Sequence, residues 1–197
     1  MQQDPQTLDA FTDGSCVNNG GKRPFGGIGV AYAPPSWPGL SDISLPASAT
    51  EARHVTNQTM EVCAVAACLR AIAALPTPPG AARVHSDSEY VIKSLTQWMR
   101  GWMRNGWRTA FGKPVKNRDE LEAAWAALRA CEARGVWVSF HHVRAHAREP
   151  GGPGPDGERA RALWRGNRAA DGLAFRAAMG HPRAADVLAA MGGSGPR

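Results

Sequence analysis

Asp13, Glu61, Asp87 and Asp171 are the residues whose settings point to chemistry. Asp13 stands in "FTDGSC", at the end of an apolar run and just before Gly14. Glu61 stands in "TNQTMEV", in the expected first turn of a long helix. Asp87 closes the short run "ARVHSD", and Asp171 lies on a helical pattern in "GNRAADGLA". Each has an ordinary reading: Asp13 can start a turn, Glu61 can complement a helix dipole, and Asp87 can cap a helix. The joint case is stronger. An Asp at the end of an apolar strand costs desolvation unless a charge meets it. Carboxylates that converge repel one another unless a cation sits among them. Magnesium suits such a place, because it takes oxygen ligands, keeps waters and accepts phosphate oxygens. Two such ions can activate a water on one side of a phosphodiester and stabilise the leaving oxygen on the other. Spacing along the chain does not bring the four acids together; a fold must.

The elements that would position them are legible from periodicity. "TLDAFTDGS" reads as a strand ending in a tight turn, and "GGIGVAYA" as a second strand. "SDISLPASA" is a weaker third, its Pro46 favouring a sheet edge. The turn-rich "KRPFGG" and "PPSWPG" make these three an antiparallel meander. "TMEVCAVAACLRAIAAL" is a helix capped by Thr56 or Asn57 and stopped by "PTPPG". "ARVHSD" is a strand and "SEYVIKSLTQWM" a helix. "RDELEAAWAALRACEARG" is a helix with acids in its first turn, bases in its last and Gly135 as stop. "VWVSFHHV" is a strand and "LWRGNRAADGLAFRAAM" the last helix. The order βββαβααβα predicts an α/β fold, a mixed sheet covered by helices on both faces. From Arg148 to Glu158 seven of eleven residues are Gly or Pro, which predicts a mobile loop. Beyond Gly180 only "RAADVLAAM" could form a short helix, and "GGSGPR" reads as disordered.

Charge narrows the partner. The whole chain of 197 residues carries +6, and so does the segment Trp98–Arg118, which has six bases and no acid. One basic patch, in "WMRGWMRNGWRTAFGKPVKNR", favours a polyanionic partner. Trp98 and Trp102 are four apart and share a helix face, while Arg100 and Arg104 share another. The segment has no long apolar face for a membrane and no local acids to allow full burial. It therefore reads as a protruding basic handle (Arg100, Arg104, Arg108, Lys113, Lys116) with Trp107 as its structural tryptophan. No run of 18 apolar residues exists, and "MQQDPQTLDA" lacks a signal-peptide pattern. Cys16, Cys63, Cys68 and Cys131 form no CxxC pair, so zinc is not expected; free thiols fit a reducing cytoplasm.

"FTDGSC", "TNQTMEV", "SDSEYVI", "WMRGWMRNGWRTAFGKPVKN", "HVRAH" and "GNRAADGLA" occur in the order found in the type-1 ribonuclease H family. The resemblance runs from about Leu8 to Met179. It implies a five-stranded sheet, strands 1–3 antiparallel and strands 4–5 parallel to strand 1. It implies a single catalytic domain over 1–180, with a handle at about 98–118, a Gly/Pro-rich insertion at about 147–163 and a tail at 181–197. The implied activity is cleavage of the RNA strand of RNA–DNA hybrids, with two Mg2+ ions (Mn2+ as a possible substitute), leaving 5′-phosphate and 3′-hydroxyl ends. By position, Asp13, Glu61, Asp87 and Asp171 resemble the four metal-binding acids, Asp13 bridging both ions and Asp171 holding the one that activates water. His146 resembles a histidine near the scissile phosphate that aids proton transfer or product release. Cys16, Asn18, Asn19, Asn57 and Gln58 resemble contacts to RNA sugars and base edges, where the 2′-hydroxyl marks RNA. Trp98, Trp102 and Thr109 resemble the DNA-strand channel, and Thr56 and Asn117 a DNA-phosphate pocket.

Two departures stand out. Where the family's phosphate pocket has an Arg two residues before the Thr, this chain has His54, with Arg53 beside it. His146 and Asp171 are 25 positions apart, a longer gap than the family usually has. The surplus is either a passive surface insertion or a segment whose Arg159, Arg161 and Arg165 touch substrate. Nothing resembles the separate N-terminal hybrid-binding domain of many eukaryotic members, so a stand-alone, monomeric, bacterial enzyme of the cytoplasm is expected, with no membrane and no obligate protein partner. A catalytically dead hybrid binder would typically lack a metal acid, and all four are here. A DNA resolvase on the same sheet would lack "GWxxNGW" and "TNQ". A retroelement-derived domain would share most of the motifs.

Overall fold

The computed structural model describes residues 7–34, 37–145, 148–182 and 184. His146, Ala147, Pro35, Ser36 and all but one residue of the tail from Arg183 lie outside them. Five strands form one sheet in the order β3-β2-β1-β4-β5: β1 (Thr7–Val17), β2 (Phe25–Tyr32), β3 (Ile43–Pro46), β4 (Ala81–Ser86) and β5 (Trp137–His142). β1 pairs antiparallel with β2, as β2 does with β3; β1 with β4 and β4 with β5 are parallel. Pro46 sits on the β3 edge, where its missing N–H costs no ladder bond.

The helices are α1 (Asn57–Ala73), α2 (Glu89–Lys93), α3 (Met99–Arg104), α4 (Arg118–Ala133) and α5 (Gly154–Met179). α1 lies on one face of the sheet with α4 against its back, and α5 covers the other face over β1, β2 and β3. α1 buries Met60, Val62, Cys63, Val65, Cys68, Leu69 and Ile72, almost its whole circumference, as a helix between two layers must. Cys63, Cys68 and Cys131 are free, buried thiols, and burial pushes Cys63 and Cys131 up to about 11. α5 instead packs through small residues. At Gly29 in β2 a Cβ would overlap the Ala170 carbonyl oxygen, and at Gly27 it would meet Ala177 and Ala178. Glycine on one side and alanine on the other let the helix lie close on the sheet.

Several local expectations are corrected. β1 does not end at Asp13 but runs on to Val17, because β2 still pairs with it there after β4 has stopped at Ser86. Glu61 is the fifth residue of α1, not part of its first turn, because Thr56 is the N-cap and its hydroxyl accepts from the Thr59 amide at 3.1 Å. The "SEYVIKSLTQWM" helix is not uniform: a π-helical turn, Ser94–Trp98, separates α2 from α3, and the helical path continues to Arg104. α4 has no base in its last turn. Arg134 follows it as cap residue and donates to the Ala73, Leu75 and Pro76 carbonyls, at 2.6, 2.5 and 3.1 Å, near the end of α1.

The largest correction concerns the Gly/Pro-rich segment. Helix α5 begins at Gly154, so the expected loop of Arg148–Glu158 stops well short of Glu158 and the insertion of 147–163 is helical over most of its length. Pro155 stands where a helix tolerates proline, and Asp156 complements the first-turn dipole. Gly157 is closely covered by the Gly152 carbonyl, and the Arg161 guanidinium donates to the same oxygen at 2.7 Å. Composition alone reads such a helix start as a loop.

Candidate active site

Parallel register brings the first two acids level. Thr12 pairs with Ser86, so Asp13 and Asp87 follow side by side where β4 ends. Glu61 reaches them because Gly14 has no side chain: a Cβ there would collide with the Met60–Glu61 peptide. One carboxylate oxygen from each of Asp13, Glu61 and Asp87 lies within 4.8 Å of the others. Asp171 is brought in by α5. It stands outside this tight trio but close enough for its charge to act on Asp13 and Glu61.

Electrostatics at this spot are unfavourable without a cation. Asp13 is only 7% exposed. Its burial, then Asp87, then Asp171 push its carboxyl up to about 7, against the lowering effect of the Gly14 amide. Burial, then Asp13 and Asp87, hold Glu61 well above the usual carboxylate range. Glu61 Oε2 is buried with no hydrogen-bond partner among the described residues. A buried carboxylate oxygen without a donor among the described residues, on a side chain grouped with two further carboxylates, fits a hard divalent cation.

The other expected site residues are placed as follows. Cys16 is half-buried, its thiol 3.6 Å from the Val55 carbonyl, so the β1 end adjoins the start of α1. Asn18 and Asn19 are exposed beyond β1, with Asn18 in the left-handed region at φ 59° and donating to the Lys22 carbonyl at 2.8 Å. Asn57 and Gln58 are exposed on the first turn of α1. Thr56 is occupied as N-cap. Asn117, at φ 57°, accepts from the Thr59 hydroxyl at 3.3 Å. Arg53 is engaged: its guanidinium pairs with Asp119 at 2.5 Å, and its amide donates to the buried Glu120 at 3.0 Å. His54 is exposed beside it.

In the basic segment, rings step from Tyr90 to Trp98, Trp102 and Trp107 with centroids 6.4, 5.5 and 6.3 Å apart. Trp107 is 7% exposed and Trp98 38%, so the row runs from core to surface. Arg118 stacks over Trp107 at 5.1 Å and pairs with Glu122, which ties it to α4. Arg100, Arg104, Arg108, Lys113 and Lys116 make no ion pair among the described residues. The loop between Arg108 and Pro114 is built: Thr109 N–H donates to the Lys113 carbonyl at 2.8 Å, and the Arg108 guanidinium to the Gly112 carbonyl at 2.8 Å.

Of the two histidines to which the sequence assigned no role, His142 adjoins the acid cluster, its Nε2 lying 3.2 Å from the Asp87 backbone carbonyl oxygen. His141 meets Ser139 at 2.9 Å and lies against His85. His85 contacts Asp9 at 2.7 Å, with Arg83 also on Asp9 at 3.0 Å. Burial would raise Asp9, but the His85 and Arg83 contacts outweigh it and hold the carboxyl below its usual range. The residues that sequence reasoning missed are Gly14 and Gly29, whose lack of a side chain sets the approach of two acids. The single glycine in "TDGS" and the three in "FGGIG" were the available signal.

The comparisons agree with this geometry. The family model for RNase H matches residues 5–179. A protein named Ribonuclease H from Paramagnetospirillum magneticum (strain ATCC 700264 / AMB-1) is 38% identical over 161 residues, 82% of this chain and 89% of its own. One from Dechloromonas aromatica (strain RCB) is 33% identical over 161 residues, 80% and 90% of the two chains. The crystal structure of LC9-RNase H1, described as a type 1 RNase H with the type 2 active-site motif, superposes with a TM-score of 0.61 at 25% identity. It covers 91% of this chain and 75% of its own. With a five-stranded mixed sheet and acids gathered where β1 and β4 part, this chain belongs to the ribonuclease H family.

Proposed function

We propose that the chain is an endoribonuclease that hydrolyses the RNA strand of RNA–DNA hybrids with two magnesium ions, leaving 5′-phosphate and 3′-hydroxyl ends. The observation that carries this is the convergence of Asp13, Glu61 and Asp87, with a buried Glu61 oxygen that has no hydrogen-bond partner among the described residues. Asp13, Glu61, Asp87 and Asp171 would hold the ions. Bound there, magnesium supplies an activated water and charge for the leaving oxygen. The protein's own part is to keep the carboxylates desolvated and fixed, with the Gly14 amide donating to the cluster. His146, by its place in "VRAH", would aid proton transfer or product release.

The exposed Asn18, Asn19, Asn57 and Gln58, with Cys16 between the β1 end and α1, support the reading of the RNA minor groove through sugar hydroxyls. Trp98, Trp102 and Thr109 would line the DNA strand, with Arg100, Arg104, Arg108, Lys113 and Lys116 following phosphates. Thr56 and Asn117 would take a DNA phosphate. With His54 where the family has an Arg, and Arg53 in an exposed pair with Asp119, this pocket's grip would be weak. The proposal includes a single catalytic domain over 1–180 and a monomer working in the cytoplasm; no helix among the described residues is long and apolar enough to cross a membrane.

The direct test compares RNA–DNA hybrid, double-stranded RNA and single-stranded RNA, with magnesium and with chelator. Cleavage of the hybrid alone, abolished by chelator, is expected; cleavage of all three or of none sinks the reading. Trp98→Ala should raise KM for hybrid about tenfold, since one stacking contact is worth ~1–3 kcal/mol. Its stability cost should stay near ~1 kcal/mol, because the ring is partly exposed. A Tm loss with KM unchanged would return Trp98 to a structural role.

A further inference from the structure

The helical insertion puts arginines where a loop would not. On α5, Trp164, Arg168 and Asp171 follow at i, i+4 and i+7 and so share one flank. Arg161 lies three residues before Trp164 and Arg165 three before Arg168, beside that flank. The opposite side of the helix, through Leu163, Ala170, Ala174 and Ala177, faces the sheet. The Arg168 guanidinium stacks over Trp164 at 5.2 Å, and Arg161 is steadied by the Gly152 carbonyl at 2.7 Å. Arg165 and Arg168 are exposed. None of Arg161, Arg165 and Arg168 makes an ion pair among the described residues, although Asp156 and Glu158 lie on the same helix. Arg159 is elsewhere, near enough to His141 for its charge to be felt there.

We propose that this stripe is a second phosphate-contacting surface, separate from the basic handle, that extends the grip on the hybrid beyond the acid cluster. The inference rests on the hybrid-cleaving reading given above. Its geometry is that of a track: Trp164 lies about 10 Å along the helix from Asp171. That is about three steps of a nucleic-acid strand at 3.4 Å per step. Guanidiniums with no ion pair among the described residues, one of them over an indole, favour successive phosphates over a protein partner with scattered acids. The surplus between His146 and Asp171 is then part of the binding surface and not a passive insertion.

The test is the double variant Arg165→Ala/Arg168→Ala, with Arg165→Lys/Arg168→Lys as its conservative counterpart. Loss of two phosphate contacts should raise KM for a long hybrid about tenfold with kcat nearly unchanged, and flatten the dependence of log KM on log salt by about two units. The lysine variant should keep the wild-type slope, and Tm should not move in either. Unchanged KM and slope in the alanine variant would overturn the proposal, as would a slope lost equally in the lysine variant. The same comparison is read as hybrid Kd in the presence of chelator. If wild type binds hybrid but cleaves none, the cleavage reading fails while the stripe is still tested.

Discussion

Asp13→Asn is expected to lower kcat for hybrid cleavage at least ~10³-fold while leaving the fold intact, since it removes a ligand charge worth several kcal/mol in the transition state. The same substitution should stabilise the metal-free protein. In chelator the Asp13 carboxyl is raised to about 7 by burial, Asp87 and Asp171, against an ordinary value of 3.8. A raised acid binds more protons folded than unfolded between those two values, so wild-type stability falls as pH climbs from about 4 to about 7. Asn cannot ionise, so the variant's unfolding free energy should vary less across that window and be higher at its upper end, by ~1–3 kcal/mol, with Tm following in the same direction. Adding magnesium at pH 7 should then raise the wild-type Tm more than the variant's, because only wild type offers the full charge. Melting curves across pH, with and without magnesium, check this. Near-full activity of Asp13→Asn would sink the metal assignment, and an unchanged pH profile would sink the account of why the acids are strained together.

Gly29→Ala should damage stability and activity together, from a position that touches no substrate. Gly29 lies opposite Asp13 in the β1–β2 register. A methyl there would overlap the Ala170 carbonyl oxygen and the Ala174 amide nitrogen, backbone atoms that cannot swing aside. α5 must lift, at a cost of ~3 kcal/mol or more. Asp171 follows Ala170 directly and lifts with it, and a displacement of about 1 Å in a catalytic group can cost ~10²-fold in rate. A drop in Tm of about 6–12 °C is expected, with kcat reduced even at temperatures where the variant is folded. Ala170→Gly in the Gly29→Ala background relieves less of the clash, because the overlap is with backbone, and should restore little. A variant that melts early yet turns over normally would separate α5 packing from the site.

The four acids and the order of strands and helices were legible because each is a local signal. An apolar run ending in Asp, a change of period from two to 3.6, and an acid inside a helical pattern are all written within a dozen residues. The basic segment was legible for the same reason, and Trp107 is the buried ring expected of it. Element ends were less so. β1 was read as stopping at Asp13, since the sequence shows the turn-forming Asp-Gly but not the β2 partner that carries the strand to Val17. The start of α5 was read as a loop, since Gly and Pro are counted as breakers unless their place in the first turn is known. His146 lies outside the described residues, so its motif remains the whole of its support.

From the sequence alone came the chemistry available, carboxylates and a basic aromatic segment, and the elements that carry them. Only the tertiary structure decided which of those groups share a place. Asp13 and Asp87 are 74 positions apart and become neighbours through parallel register; Glu61 joins them because Gly14 admits α1, and Asp171 because Gly29 admits α5. Likewise, Arg53 is adjacent to His54 in sequence but is held by Asp119, and Arg161, Arg165 and Arg168 form a stripe because their segment is helical. The physical reason is one of range. Propensity, period and capping act over a few residues, whereas burial of a charge, overlap with a missing Cβ and the approach of distant carboxylates depend on contacts that exist only once the layers have packed.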